Sequence, residues 1–229
     1  MQGNRSNERQ GRADRLSAFS DGVIAVIITI MVLELRPPDQ PSLAALAALW
    51  PTAISYAVSY LFIAIIWINH HHLMRFVREP TNRLIWLNFL HLFMISLVPF
   101  ATQWVARTGL AAIPVMAYAL VFVCVDAAYL TFERAVMAQA DCSQVPPEAQ
   151  RRARIRSGLA LAIFAAAGVA AIAFPVAGLA LICVALSFFV RPEVRGLRLA
   201  VAAPPRGQRS PRAIQRKRLK ALKTRSFAA

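Results

Sequence analysis

Six apolar runs, at roughly 16–36, 50–71, 84–105, 111–132, 157–174 and 175–190, leave this 229-residue chain few folds to choose from. Each of the first four holds about 21 or 22 residues, and at about 1.5 Å of rise per residue such a helix crosses roughly 30 Å of hydrocarbon. The last two together are too long for one helix. Ala173-Phe174-Pro175-Val176-Ala177-Gly178 interrupts them with a proline and a glycine, which predicts two short spans in a tight hairpin. The expected architecture is an all-α membrane protein with six transmembrane helices. Composition agrees, because 58% hydrophobic and 16% charged residues suit lipid better than water.

Charge placement sets the orientation. The segment up to Arg15 holds 4 Lys or Arg, the loop with Arg75, Arg78 and Arg83 holds 3, the loop from Arg134 to Arg156 holds 5, and the tail from Arg191 holds 12. With six spans, all 24 fall on one side, and only Arg36 and Arg107 fall on the other. The positive-inside rule then places both termini in the cytoplasm, in a cell inner (plasma) membrane. The expected organisation is an N-terminal arm over 1–14, a transmembrane domain over 15–190 and a basic tail over 191–229. The first run has no small-residue cleavage site and reads as a retained span.

Soluble chemistry finds no foothold. The chain has no glycine-rich phosphate loop, no GxSxG and no paired carboxylates in a polar domain, so no catalysis is expected. Cys124, Cys142 and Cys183 form no CxxC, and neither a metal nor a cofactor is expected. The net charge of +15 is mostly topology. The tail stretch Ala213–Lys223 alternates basic and apolar residues and suits an anionic lipid surface. Without interleaved aromatics it does not suit nucleic acid.

The polar residues at the span ends carry the rest. Arg15, Ser20 and Asp21 stand at the mouth of the first run, where a charge needs a partner or a function. Trp67 and His70 share a face of the second run, and Asn88 enters the third from the same side. Together they are expected to form one hydrogen-bonded network. Three consecutive histidines, His70, His71 and His72, fan out by about 100° each and do not converge on one ion. Farther along the first run, Gly22, Val26, Thr29, Ile30 and Leu33 line one face. That stripe has two readings: helix–helix packing, or a pore wall that gates by drying, with Thr29 as its one hydroxyl and Glu34 as a carboxylate ring at the outer mouth. Asp126, inside the fourth run, is a proton-relay or substrate candidate. Asp21 and His70 make pH a candidate modulator.

Arg15-x-x-x-Phe19-Ser20-Asp21-Gly22, followed by Val-Ile-Ala-Val-Ile-Ile-Thr-Ile-Met-Val-Leu-Glu-Leu, resembles the signature first helix of the transmembrane protein 175 family of potassium channels. Trp67-x-x-His70-His71-x-Leu73 resembles the end of that family's second helix, and Leu87-Asn88 with Pro99-Phe100 its third. The likeness covers roughly residues 12–105. The later spans agree in number and length more than in motif.

The resemblance implies a potassium channel without a carbonyl filter, built as a homotetramer of single six-helix units around a pore lined by the first helix. By position, Val26 falls on the narrowest hydrophobic constriction, and Ile30 and Leu33 on further apolar layers. Thr29 falls on the hydroxyl tied to ion preference. Arg15, Phe19, Ser20, Asp21, Trp67, His70 and Asn88 fall on the structural network. The implied partners are K+, with other monovalent cations as the alternative permeant ions, and membrane lipids. The constriction residue is usually Ile or Leu, and Val26 departs from that, which implies a leakier pore. The competing readings are a proton-coupled secondary transporter using Asp126 and a non-conducting membrane scaffold.

Overall fold

The computed structural model describes residues 2–33, 35–139 and 147–189. The described residues contain eight helices and no strand: α1 (Gln2–Val32), α2 (Leu43–Ala48), α3 (Trp50–Met74), α4 (Asn82–Ser96), α5 (Val98–Arg107), α6 (Ala112–Met137), α7 (Pro147–Ala173) and α8 (Pro175–Phe189). The chain divides into two units, 1–192 and 193–229, the second lying outside the described residues. The 191–229 tail and Cys142 fall outside them as well.

Among the described residues, five stretches are long and apolar enough to cross a membrane: Gly11–Val32, Trp50–Met74, Asn82–Arg107, Ala112–Met137 and Ile155–Ala173. The sixth apolar helix, Pro175–Ser187, is shorter. The hairpin expected from Pro175 is present, with Phe174 alone separating α7 from α8. Gly178 makes it tight: a Cβ there would meet the Ala167 carbonyl oxygen at 2.8 Å and the Ala171 Cβ at 2.8 Å.

Two boundaries differ from the sequence expectation. The third span is not one straight helix but two, α4 and α5, joined at Leu97. Pro99 supplies no N–H to the turn before it, and its ring crowds the carbonyl four residues back. The first helix begins at Gln2, so the polar arm and the first span share one helix, and it stops at Val32. Pro37 and Pro38 follow within two turns and bar the chain from continuing helically. Leu33 closes the helix by donating to the Ile30 carbonyl at 3.0 Å.

The core forms around α6, which packs on α4, α5, α7 and α8. Phe62 of α3 stacks on Phe122 of α6 with centroids 3.7 Å apart, and Phe164 of α7 meets both edge-on. α1 joins this core through Ile24, Ile27 and Met31, packing on α3, α4 and α5. Hydroxyls tie the core at one level: Ser59 Oγ lies 2.6 Å from Thr102 Oγ1 and 2.6 Å from Tyr118 OH, linking α3, α5 and α6.

Candidate functional site

α1 has two opposed faces. At about 100° per residue, Ser20, Ile24, Ile27 and Met31 fall on one side, and Gly22, Val26, Thr29, Ile30 and Leu33 fall about half a turn away. The first set is buried against the bundle. The second is exposed, with Val26 at 55%, Ile30 at 45% and Leu33 at 73%. Packing within the chain therefore does not account for the stripe, because that job belongs to the opposite face. Thr29 is exposed on the stripe, and its hydroxyl donates to the Val26 carbonyl at 2.8 Å. Glu34 lies outside the described residues.

Two separate ties aim the helix. Asn88 of α4 donates from Nδ2 to Ser20 Oγ at 2.9 Å, and His70 Nε2 of α3 lies 2.8 Å from Asn88 Oδ1. Directions follow from the acceptors. Ser20 spends its proton on the Leu16 carbonyl at 2.9 Å, so it must accept from Asn88. Asn88 then presents its oxygen to His70, whose Nε2 carries the hydrogen. All three side chains are fully buried, where a lost partner leaves an unpaired polar group. The second tie runs from Trp67 Nε1 to Asp21 Oδ1 at 2.8 Å. His71 Nδ1 approaches the other Asp21 oxygen at 3.8 Å. Ser20 and Asp21 are neighbours that point about 100° apart, so each reaches a different partner. Phe19 adds a ring contact to Phe89 of α4 at 5.5 Å.

In place of the one network expected, the structure forms two sets, Ser20 with Asn88 and His70 and, beside it, Asp21 with Trp67, and Phe19 packs on Phe89 of α4. Arg15 does not join them. It is exposed and makes no hydrogen bond or ion pair among the described residues. It lies more than a turn before Ser20, and a long guanidinium side chain there keeps its head in water. The three consecutive histidines diverge as their spacing requires: His70 turns into the core and His71 toward Asp21.

The sequence reading passed over two groups. His91, fully buried, stacks on His70 with centroids 5.8 Å apart and also meets Tyr129 at 5.5 Å. The Ser59–Thr102–Tyr118 set was missed as well. The available signal was a hydroxyl in each of three apolar runs at matching depth. Asp126 is 8% exposed, and its Oδ2 has no hydrogen-bond partner among the described residues.

Residues 15–99 match the family model described as the endosomal/lysosomal potassium channel TMEM175. A protein named as a potassium channel from Chryseobacterium sp. (strain P1-3) is 41% identical over 123 residues, covering 54% of this chain and 64% of that one. One of the same name type from Streptomyces collinus is 40% identical over 97 residues, covering 41% and 47%. The Homo sapiens endosomal/lysosomal proton channel TMEM175 is 31% identical over 102 residues, covering 39% and 20%. The chain thus spans less than two thirds of the length of each of these relatives. A crystal structure titled as a lysosomal potassium-selective channel TMEM175 homolog from Chamaesiphon minutus shares the fold, with a TM-score of 0.70 at 22% identity, covering 79% of this chain and 97% of that one. The matched segment holds every residue of both ties to α1, and over that segment the chain is similar to the TMEM175 family.

Proposed function

We propose that the chain is one subunit of a homotetrameric, potassium-permeable cation channel in a bacterial or archaeal inner membrane. In this reading it crosses the membrane six times, with α8 as a short sixth span and both termini in the cytoplasm. The pore is lined by α1. The observation that carries the reading is the exposed apolar stripe Val26, Thr29, Ile30, Leu33, opposite the packed face of the same helix. A lipid-facing helix has no need of two polar ties, one of them fully buried, to fix its rotation, whereas a pore helix does. Four copies of Val26 would form the narrowest ring, Ile30 and Leu33 the next, and conduction would require wetting of that zone. Thr29 supplies its hydroxyl to the passing ion, and Glu34 a ring of carboxylates at the outer mouth.

The names of the bacterial relatives support potassium as the ion. The name of the human relative adds protons as a second cation to test. Asp126, buried with one carboxylate oxygen unpartnered, favours a second reading, a proton-coupled transporter. Recordings from the purified chain in planar bilayers separate them. Unitary steps that reverse near the potassium equilibrium potential support the channel. Proton-driven uptake without unitary steps supports the transporter. Tetramers with neither activity leave the membrane scaffold.

A further inference from the structure

Among the described residues, the bundle end opposite the arginine-rich loops carries two basic residues, Arg36 and Arg107. Both line one cavity of about 140 Å³, between the segment after α1, the start of α3 and the end of α5. Neither guanidinium forms an ion pair among the described residues, and Asp39 of that end is not part of the lining. Both arginines are exposed at this cavity, so their guanidinium groups are free to turn toward one anion there.

Depth says where that anion comes from. Trp50 and Trp104 are exposed beside the lining residues Leu49 and Gln103. Exposed Trp and Tyr mark the headgroup level of a bilayer, the layer where lipid phosphates lie. Guanidinium forks match phosphate oxygens. The remaining wall is largely apolar, with Met31, Leu35, Leu49 and Pro99 placed to receive glycerol and the first acyl carbons. A choline headgroup would bring a third cation beside the two arginines and is disfavoured.

We propose that this cavity binds an anionic phospholipid, its phosphate held between Arg36 and Arg107 and its chains leaving along Leu35 and Leu49. Met31 belongs to the packed face of α1, so the bound lipid braces the end of that helix. The inference rests on the chain spanning a membrane and not on its conducting ions.

The test uses the full chain in phosphatidylcholine vesicles containing a phosphatidylglycerol with a diazirine near the top of one acyl chain. Labelled peptides are mapped by mass spectrometry, with labelling at the arginine-rich end as the internal reference. Labelling of the peptides spanning 31–36 and 99–107 is expected, competed by unlabelled phosphatidylglycerol. It should fall roughly tenfold or more in the Arg36→Gln/Arg107→Gln variant and be largely retained in Arg36→Lys/Arg107→Lys, which keeps the charge and checks folding. Labelling that persists in the double Gln variant overturns the proposal. So does equal competition by phosphatidylcholine, which would mean no headgroup selection. Competition by inorganic phosphate in place of lipid would make the site one for free anions and overturns it too.

Discussion

Asn88 of α4 and Ser20 of α1, 68 residues apart in the chain, meet at 2.9 Å in the buried interior. Asn88 hydrogen-bonds to both Ser20 and His70, so α1, α3 and α4 are locked through one amide. The lock fixes the rotation of α1 and so decides which side of that helix is left open.

Replacing that amide tests the lock. Asn88→Leu keeps the volume but leaves Ser20 and His70 without their partner. Each orphaned group costs about 1–3 kcal/mol, so a clear drop in the unfolding midpoint in detergent is expected. An unchanged midpoint would mean the three groups find other partners. Ser20→Ala combined with Asn88→Leu should lose less than the sum of the single losses, since the two residues share one interaction.

The second tie has its own signature. Trp67→Phe removes the indole N–H and keeps most of the ring. A double-mutant cycle with Asp21→Asn should give a coupling of about 0.6 kcal/mol, and up to roughly 1.7, the range for hydrogen bonds between membrane helices. Zero coupling would mean the 2.8 Å contact carries no net stability.

Neighbouring residues on α1 should fail in different ways. Ile27 is buried and Val26 is open. Ile27→Ala is expected to cost about 2–5 kcal/mol of stability and to leave ion preference alone. Val26→Leu should barely change stability while narrowing the pore, lowering conductance and raising the preference for potassium over sodium in reversal potentials. Strong potassium preference in the native chain, unchanged by Val26→Leu, would count against Val26 as the constriction.

The hydroxyl set in the core offers a control away from α1. Tyr118→Phe removes the phenol that lies 2.6 Å from Ser59 Oγ. A loss of about 1 kcal/mol is expected, measured by unfolding, with ion preference unaltered. A change in selectivity without a change in stability would place this set in the conduction path.

Much of α1 was legible in advance because a period of three and four residues sorts a helix into faces whatever surrounds it. Val26, Thr29, Ile30 and Leu33 came out as one stripe for that reason. Periodicity cannot say what a stripe faces. That took the buried partners Ile24, Ile27 and Met31 on the other side. Ser20, Asp21, Trp67, His70 and Asn88 were readable as mutual partners because polar groups at the ends of apolar runs must find each other, but their division into two separate ties was not. Arg15 was counted with them by proximity in sequence, and its length and charge instead keep it at the surface. Ser59, Thr102 and Tyr118 were not legible, since a lone hydroxyl in an apolar run is also satisfied by its own helix. The break between α4 and α5 was hidden in the same way: the run around Pro99 is apolar throughout, and only the missing N–H betrays it.

Cysteine accessibility on α1 tests the central claim most directly. In a background with Cys124, Cys142 and Cys183 replaced by alanine, single cysteines at positions 24, 26, 27 and 29 are exposed to a charged, membrane-impermeant thiol reagent during recording. The account predicts that current is blocked by modification at 26 and 29 and is untouched at 24 and 27. Block at 24 or 27 with none at 26 and 29 would turn the helix the other way and contradict it.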